Sequence, residues 1–559
     1  MSSSTAFLLW LDRHPQCYLG VVGGLIVAAL VLAVGRLLKT GYDKTCGHDW
    51  WWGLPILTIL TAGRWPSLIF SRELSLDESQ LLAGAHALTH DPVFWRSVCG
   101  GTAGPLDFFA LWPAGWLCGW DSFVPARLTA LVLLAASLLF AHQVTALLVG
   151  RQVARIASLA ALSLESLTHA GDFLHYSTEL LPITLLSVAA YAAVRRGFTG
   201  GGPLWGGLGG LMLGAVPFGK LQPAPLAALM GLYWLWTEAR AKEPAAPRPV
   251  LYLMGGALLP AALFAWQLTL AGEWTSFTRS YLLFNVQYGA ASTFTYGQSL
   301  RVMLGNALWW DSLLPFALLG GLVWLILMLR LRPGTDRAMR ALTWAAAGAS
   351  VVALGSIIGP KRPYLHYWQL LLVPGVLLFG AIIARLLSTA PPRRRRAEQW
   401  LVAMGAVGLI GGMLLHRARH PNTFVQDLAY YWVNPRSDLA VRVAAHARPG
   451  EALAIWGRTD NLYVETGLRQ ATRDSQISGL VEPGPQQDYF RARYLADLVQ
   501  AQPALFLDSV CPGSPQYTSP ELAHERNYPE LAAVIRANYA LVETTAGARI
   551  YRRRDAPPR

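Results

Sequence analysis

Charged residues are scarce in this chain, and their scarcity excludes an ordinary soluble protein. Only 14% of the 559 residues are charged, while 53% are hydrophobic. Soluble domains carry about 25% charged residues. The apolar residues also come in long blocks rather than in amphipathic alternation. The composition therefore predicts an α-helical polytopic membrane protein.

Cysteine patterns that build metal or redox sites are missing as well. The five cysteines form no CxxC pair and no zinc-binding spacing. Cys99 and Cys118 fall in one segment. If it faces an oxidising compartment, a disulfide and two free thiols are both compatible with the sequence. The sequence therefore does not decide whether Cys99 and Cys118 form a disulfide.

The sequence also lacks a convincing cleavable signal. The first apolar run, Thr5–Leu11, is too short for one, and Asp12-Arg13-His14 ends it. We expect insertion to start at the next apolar run.

Nucleic-acid binding is excluded by where the positive charge lies. The net charge of +13 comes largely from arginines between the hydrophobic runs. In membrane proteins such arginines mark the cytoplasmic connections. The charge is therefore a topology signal.

About twelve transmembrane helices satisfy one orientation, in which the basic connectors are cytoplasmic. The predicted spans are Tyr18–Val34, Trp51–Phe70, Phe123–Leu148, Ile156–Thr168, Leu174–Val194, Leu204–Val216, Pro225–Trp236, Val250–Leu270, Leu313–Leu329, Ala341–Ile358, Trp368–Leu387 and Trp400–Leu415. The glycine-rich start of the sixth is interpreted as a helix-packing surface. The membrane domain is predicted to cover residues 1–415, with a long outer loop at 72–121.

Residues 416–559 have the composition of a soluble α/β domain on the outer side. Short apolar runs predict strands, and the segments before them predict helices. The predicted strands are Ala452–Trp456, Ala504–Leu507 and Arg549–Tyr551, and the predicted helices are Asp438–His446, Tyr489–Gln500 and Tyr528–Tyr539.

The most informative stretch is Leu76-Asp77-Glu78-Ser79, directly after the second span. Two adjacent carboxylates are costly where a membrane helix meets water. We interpret the loop as the carrier of a reaction centre. The alternative is a helix cap or a salt bridge, which an acidic pair beside Arg72 could also provide.

This arrangement resembles the GT-C membrane glycosyltransferases, especially the protein O-mannosyltransferase and aminoarabinose-transferase branch (glycosyltransferase family 39-like). The resemblance rests on the acidic pair, on the Gly104-Pro105-Leu106 segment with its aromatics, and on the tail segment 454–473. The usual His-Pro-Pro-Leu is here Ala103-Gly104-Pro105-Leu106, and Asp107 follows it. We count Asp107 among the substrate-binding candidates.

The resemblance implies a sugar donor carried on a polyprenyl phosphate. Transfer of a hexosyl or pentosyl group would occur on the outer face of the cell membrane, in bacteria the inner membrane, with inversion at the anomeric carbon. The acceptor would be a lipid, a glycan or a protein, and membrane lipids would surround the chain. No cofactor is expected, and the sequence leaves open whether a divalent metal ion is required.

An attacking hydroxyl must lose its proton, so a nearby carboxylate is the expected base. Asp77 is the base candidate, and Glu78 is a positioning or second acidic group. The lipid phosphate needs cations rather than an acid. Candidate cations at outer span ends are Lys220, Lys361 and Arg362, with snorkelling to lipid headgroups as the alternative.

Further candidates for substrate binding lie beside these cations and at another outer turn. Tyr364 and His366 follow Arg362, while His169 and Asp172 follow a short span in a position that suits sugar recognition. The spacing of His169, Asp172 and His175 is also compatible with metal ligation, but no fourth ligand is evident.

A transporter or flippase is the competing function. It would show paired, inverted halves and polar groups at mid-membrane depth. Here the polar groups concentrate at outer span ends, which favours the enzyme.

Overall fold

The computed structural model describes residues 2–556, with gaps at 43–45, 200–201, 240–247, 291, 310–312, 317, 319, 324–336, 390–392, 422–426 and 515. Most of this chain is helical. The predicted span Leu313–Leu329 lies partly outside the described residues.

The longer helices follow the hydrophobic runs of the sequence. Their bounds are Pro15–Thr40, Gly53–Ile69, Val124–Val149, Arg151–Leu167, Leu180–Thr199, Pro203–Gly219, Ala224–Ala239, Arg248–Ala271, Tyr296–Trp309, Arg337–Ile358, Leu372–Thr389 and Arg395–Arg419.

Six helical segments in the described part of the chain are long and apolar enough to cross a bilayer. They are Pro15–Thr40, Val124–Val149, Val250–Ala271, Met339–Ile358, Leu365–Ser388 and Arg395–Arg419. They support a multi-pass membrane protein, and the number of twelve spans stays a prediction.

The glycine-rich helix Pro203–Gly219 packs closely against Arg248–Ala271. A Cβ on Gly210 would lie 2.0 Å from the carbonyl oxygen of Leu253, and one on Gly214 would lie 2.0 Å from that of Ala257. Only glycine allows backbones to approach this closely. The prediction of a helix-packing surface is confirmed at Gly210, and the structure extends this surface to Gly214.

The chain divides into two compact units, each built from three segments. The first unit contains Met1–Ser67, Ala130–Leu263 and Ser292–Ala429, and it holds most of the long helices. The second unit contains Leu68–Thr129, Phe264–Ala291 and Tyr430–Arg559. The outer-loop segment and the C-terminal residues thus belong to one unit. The predicted end of the membrane domain at residue 415 stays a prediction.

The second unit contains a five-stranded mixed sheet. Its strands are β1 (Ala452–Trp456), β2 (Arg469–Gln470), β3 (Leu505–Asp508), β4 (Tyr539–Thr544) and β5 (Arg549–Arg553). The strand order is β2-β1-β3-β5-β4. β1 runs parallel to β2 and β3, while β5 runs antiparallel to β3 and β4.

Both faces of this sheet are covered, which explains the continuous apolar runs of its central strands. Leu453 and Ile455 of β1 lie in one buried cluster, while Ala454 and Trp456 lie in the other. Helices of the same unit contribute to these clusters, among them Asp438–Ala445, Asn461–Thr466, Gln487–Ala501 and Pro529–Asn538. The C-terminal α/β architecture is therefore present as predicted, with β2 and β4 as strands that the sequence did not indicate.

The segment predicted as an outer loop is itself helical. Its helices are Leu76–Leu88, Phe94–Ser97, Pro105–Phe109 and Trp112–Cys118. Ala83, on the first of them, belongs to the buried cluster under the sheet. Cys99 and Cys118 are both free. The segment is thus a folded part of the second unit.

Candidate active site

The acidic pair lies in the first turn of the helix Leu76–Leu88. Ser75 is its N-cap, and the Ser75 hydroxyl accepts a hydrogen bond from the Asp77 N–H at 3.4 Å. Carboxylates in this position interact favourably with the helix dipole. The position of the two carboxylates at the start of a helix is therefore partly explained by helix capping. Asp77 and Glu78 differ in the partners of their side chains.

Glu78 is fully buried and forms a bidentate ion pair with Arg127. Arg127 Nε lies 3.1 Å from Glu78 Oε1, and its Nη2 lies 3.1 Å from Oε2. The same guanidinium donates to the backbone oxygens of Phe70 and Arg72. Glu78 therefore fixes the chain at the start of the helix.

Asp77 has a different environment, because 47% of its side chain is exposed. Its Oδ1 accepts a hydrogen bond from Nη2 of Arg458 at 2.9 Å, and the Arg458 side chain is only 9% exposed. Arg458 Nε also lies 3.7 Å from Oδ2 of Asp460. Asp77 is thus an oriented carboxylate that a ligand can still reach.

Two further carboxylates of this unit, Glu73 and Asp460, have raised pKa values. Burial raises the pKa of Glu73 to about 7. A hydrogen bond from the Ser79 hydroxyl to Glu73 Oε2, at 2.5 Å, lowers the pKa but does not outweigh burial. Burial likewise raises the pKa of Asp460 to about 6, although the Arg458 charge opposes the shift. We call Glu73, Asp77, Glu78 and Asp460 the carboxylate cluster.

Asp107 lies in the same unit, on the short helix Pro105–Phe109, and its side chain is fully buried. It faces Tyr281, whose pKa is raised well above its usual value by burial and then by the Asp107 charge. A ligand would reach Asp107 only after rearrangement of this segment.

The first unit brings four other polar residues together, which we call the histidine cluster: Asp172, Glu179, Lys220 and His366. Lys220 Nζ donates to the buried Glu179 carboxylate and, at 2.6 Å, to the hydroxyl of Thr178. The ammonium also lies 4.9 Å from the ring centroid of Tyr367. Its charge is therefore matched by Glu179.

His366 joins both acids of this cluster. Its Nδ1 lies 3.7 Å from Asp172 Oδ2, and its Nε2 lies 3.8 Å from Glu179 Oε2. The backbone N–H of Leu365 also donates to Asp172 Oδ2 at 3.0 Å. Burial raises the pKa of Asp172, but hydrogen bonding and charge from His366 outweigh it and hold the pKa below its usual value. Asp172 is thus an ionised, partly exposed carboxylate.

The remaining predicted site residues lie around this cluster or apart from it. Tyr364 is 43% exposed and stacks on His366, with ring centroids 5.4 Å apart. Lys361 has a left-handed backbone (φ 53°), is partly exposed, and places its Nζ 5.7 Å from the centroid of Tyr296. Arg362 is also partly exposed. His169 is buried beside Tyr18, with ring centroids 6.2 Å apart, and does not join the histidine cluster.

Sequence reasoning missed several residues of these clusters, chiefly Glu73, Arg127, Glu179, Arg458 and Asp460. Arg458 and Asp460 fall inside the tail segment 454–473, which carried part of the family resemblance. The sequence did not indicate that Arg458 contacts Asp77. Arg127 and Glu179 each lie inside a predicted span, near its start. A charge at that position was the available signal.

The fold was compared with solved structures. ArnT from Cupriavidus metallidurans bound to undecaprenyl phosphate superimposes with a TM-score of 0.56 at 13% identity, covering 91% of this chain and 100% of the ArnT chain. The chain adopts the fold of ArnT. The apo structure of ArnT matches with a TM-score of 0.52 at 14% identity, over 89% of this chain and 97% of ArnT.

A more distant match is the apo oligosaccharyltransferase of Archaeoglobus fulgidus, with a TM-score of 0.38 at 12% identity over 98% of this chain and 75% of that one. No protein-family model matches the sequence, and neither does any curated protein. The likeness to ArnT is therefore a likeness of fold.

Within this ArnT-like fold, the described residues contain no group of three or more histidine, cysteine, aspartate or glutamate side chains placed to hold a metal ion. The cofactor requirement stays a prediction.

Glu73 gives the fold a measurable pH dependence. Its pKa is raised from 4.5 to about 7 in the folded chain, so the folded state binds more protons than the unfolded state between these values. The contribution to stability is complete below about pH 4.5 and is lost as the pH rises through about 7. We expect Glu73→Gln to flatten the fall in melting temperature of the full-length protein across this window. Glu521→Gln, at an exposed glutamate of the same unit, should leave the slope unchanged; an unchanged slope in Glu73→Gln would contradict the assignment.

Proposed function

We propose that the protein is a glycosyltransferase that moves a sugar from a polyprenyl-phosphate donor to an acceptor hydroxyl. The observation that carries the proposal is the ArnT fold over 91% of the chain, since the matched ArnT structure contains undecaprenyl phosphate. An accessible carboxylate at the start of the first helix of the outer segment supports it independently.

The reaction we propose is a single displacement. The acceptor oxygen attacks the anomeric carbon, the bond from that carbon to the phosphate oxygen breaks, and the polyprenyl phosphate leaves with the bonding electrons. The acceptor proton passes to a carboxylate. Attack opposite the leaving group inverts the anomeric configuration.

Asp77 is the proposed base. Among the carboxylate cluster, Asp77 is ion-paired yet nearly half exposed, whereas Glu78 is fully buried. Arg458 fixes the orientation of the Asp77 carboxylate through the hydrogen bond from its Nη2. Glu78, held by Arg127, is proposed as a positioning group that sets the start of the helix.

Lys361 and Arg362 are the proposed contacts to the donor phosphate. Both are partly exposed, whereas the Lys220 charge is already matched by buried Glu179. Phosphate prefers cations that can approach it directly. Lys220 is therefore assigned to the support of the histidine cluster.

Removal of both Lys361 and Arg362 should weaken binding of a polyprenyl-phosphate donor by about tenfold or more, because each shielded contact from a cation to phosphate contributes about 1.5–3 kcal/mol. The measurement is donor affinity of the purified Lys361→Ala/Arg362→Ala protein. Arg301→Ala, at an exposed arginine of the same unit, is the matched control. Unchanged donor affinity in the double variant would assign these residues to headgroup anchoring.

The sugar is proposed to contact the histidine cluster. Asp172 is 34% exposed and ionised, and the exposed ring of Tyr364 stacks on His366 beside it. An ionised carboxylate next to an aromatic face suits sugar hydroxyls and the apolar face of a sugar ring. His169 and Asp107 are buried, so we assign each to the support of its own unit and not to contact with the sugar.

We further propose that the C-terminal residues and the reaction centre lie on the outer side of the bacterial inner membrane. The support is the run of basic connectors such as Arg393–Arg396 on the opposite side. Because Asp460 itself is buried, the cysteines are placed at Asp91 and at the exposed Arg469 of the same segment as Asp460. Both should react with an impermeant reagent from outside, and a cysteine at Arg394 should react only after permeabilisation. Labelling of Asp91 and Arg469 from the cytoplasm alone would reverse the orientation.

The function itself is tested without knowing the sugar. Glycans and glycolipids of cells lacking the protein are compared with wild type by mass spectrometry. We expect one polyprenyl-phosphate sugar to accumulate and one class of glycan, lipid or protein to lose a hexose or pentose. Unaltered glycans and lipid-linked sugars would reject the proposal. The transporter alternative has no comparable structural support.

A further inference from the structure

A helical segment at 274–290 closely follows an apolar helix that is long enough to cross a bilayer. That helix, Val250–Ala271, is followed by a turn in which Gly272 has a φ of 71°. A new helix begins at Trp274 and passes through a π-helical stretch, Thr278–Leu283, before it ends at residue 290. Three residues of extended chain bridge at most about 10 Å. The segment 274–290 therefore starts close to the end of the span.

Side-chain contacts hold the start of this segment against the last turn of the span. The indole N–H of Trp274 donates to the hydroxyl of Thr269 at 3.2 Å. In the turn between the two helices, Glu273 Oε2 accepts a hydrogen bond from the hydroxyl of Ser276 at 2.6 Å. The start of the segment thus lies at the depth at which the span ends.

The inner face of the segment is fixed by the rest of the second unit. Arg493 donates from Nη1 to the hydroxyl of Ser280 at 2.5 Å, and Tyr489 donates to the hydroxyl of Ser276 at 3.2 Å. Ser276 and Ser280 are both buried. The segment is therefore an integral part of the fold, and its opposite face is a defined surface.

That opposite face is exposed and becomes apolar toward its end. Val286 is 72% exposed, and Leu282 and Leu283 are 37% and 39% exposed. Neighbouring apolar side chains that face outward mark a surface for another molecule. Leucine and valine beside a basic residue and a tryptophan are typical of a helix that lies in the membrane interface. The exposed residues recur at helical spacing and are Thr275, Thr278, Arg279, Leu282, Leu283 and Val286.

Two other segments of the second unit show the same relation to a span. Trp116 is 66% exposed and lies shortly before the apolar helix Val124–Val149. Tyr430 and Trp432 are 63% and 43% exposed and follow the apolar helix Arg395–Arg419. Because one compact unit cannot lie on both sides of a bilayer, these span ends share a side. Exposed aromatic residues at span ends are typical of the interface between lipid and water.

We propose that the segment 274–290 lies in the headgroup region of the membrane and binds lipid through its exposed face. Leu282, Leu283 and Val286 reach the boundary of the acyl chains, to which such helices bury their apolar side by about 5–10 Å. Arg279 contacts the lipid phosphates. The occupant of this face is the bilayer rather than another protein, because the span brings the segment to the bilayer surface. The contact is independent of the proposed transfer reaction.

The test measures the depth of spin labels in a nanodisc that holds one copy of the full-length protein. Single cysteines replace Leu283 or Val286 in a background without the five native cysteines. Collision with oxygen, which concentrates among the acyl chains, is compared with collision with a water-soluble nickel chelate. We expect both labels to collide preferentially with oxygen.

The matched controls are single cysteines at Val499 and Leu541. These residues are 51% and 53% exposed and lie in the same unit, on the helix Gln487–Ala501 and on β4, neither of which adjoins a span. Their labels should collide preferentially with the nickel chelate. The background and each variant must melt like wild type.

A second measurement uses the wild-type protein and does not depend on the cysteine-free background. A phospholipid with a photoactivatable group near its glycerol is added to the nanodisc, and the cross-linked residues are identified by mass spectrometry. We expect cross-links within 274–290 and none within Gln487–Ala501.

Three results would overturn the proposal. Labels at Leu283 and Val286 could collide with nickel as readily as those at Val499 and Leu541. They could collide with neither reagent, which would mean that another part of the protein covers this face. The wild-type protein could also show no lipid cross-links within 274–290.

Discussion

Replacing Asp77 by asparagine is expected to lower the rate of sugar transfer by about 10²–10⁴-fold, the usual contribution of a positioned general base. Asparagine keeps the size of the side chain but cannot accept the proton of the acceptor hydroxyl. Arg458 can still donate to its amide oxygen, so the helix start should stay in place. The measurement is single-turnover transfer from a polyprenyl-phosphate donor, beside donor affinity and melting temperature.

The matched control is Asp91→Asn, since Asp91 is another ion-paired carboxylate of the outer segment, 2.5 Å from Arg96. It should transfer at the wild-type rate. Normal transfer by Asp77→Asn would place the base elsewhere, with Asp172 and Asp107 the next carboxylates to test. If Asp77→Asn loses transfer only in proportion to the loss of folded protein, Asp77 acts as a helix cap and not as the base.

The largest effect on stability is expected at the buried pair of Glu78 and Arg127. Both side chains are fully buried, and removal of one partner leaves the other as an uncompensated charge. Breaking such a pair costs about 3–5 kcal/mol. Glu78→Leu should therefore lower the melting temperature sharply and reduce transfer through loss of folded protein. Glu78→Gln, which keeps some hydrogen bonds, should be milder.

Two controls separate the ion pair from the volume of the side chains. Glu78→Leu/Arg127→Met should recover much of the stability, because well-packed apolar replacements of a buried pair are often neutral. Arg96→Gln breaks an exposed pair and should cost at most about 1 kcal/mol. A melting temperature for Glu78→Leu equal to that of Arg96→Gln would show that the pair contributes little.

The parts of the fold that sequence predicted are those set by local pattern. β1 was predicted with its observed bounds, and β3 within one residue, because a strand buried on both faces is a short, continuous apolar run. Most of the long helices match hydrophobic runs, because a helix that crosses a bilayer needs a long apolar run. β2, with two residues, and β4, with a largely exposed face, carry no such pattern.

The parts that escaped prediction depend on distant partners. Asp77 was found from its position after a hydrophobic run, but Arg458 follows it by 381 residues, and nothing local to either residue indicates their ion pair. The segment 72–121 was predicted only as an outer loop between two spans. The helix Leu76–Leu88 within it buries most of its residues, and Ala83 packs in a cluster with residues far along the chain. Lys220 was predicted to bind the donor phosphate because its partner Glu179 lies on another segment and the sequence does not indicate their ion pair.

Sugar transfer can be followed with the purified full-length protein in lipid nanodiscs, supplied with lipid-linked sugars extracted from cells that lack it. Mass spectrometry follows the intact donor, the free polyprenyl phosphate and the glycosylated acceptor. We expect wild-type protein to release polyprenyl phosphate in step with acceptor glycosylation, and Asp77→Asn to release almost none. Donor that stays chemically intact while it crosses the bilayer of a vesicle containing the protein would overturn the proposed transfer and identify a transporter.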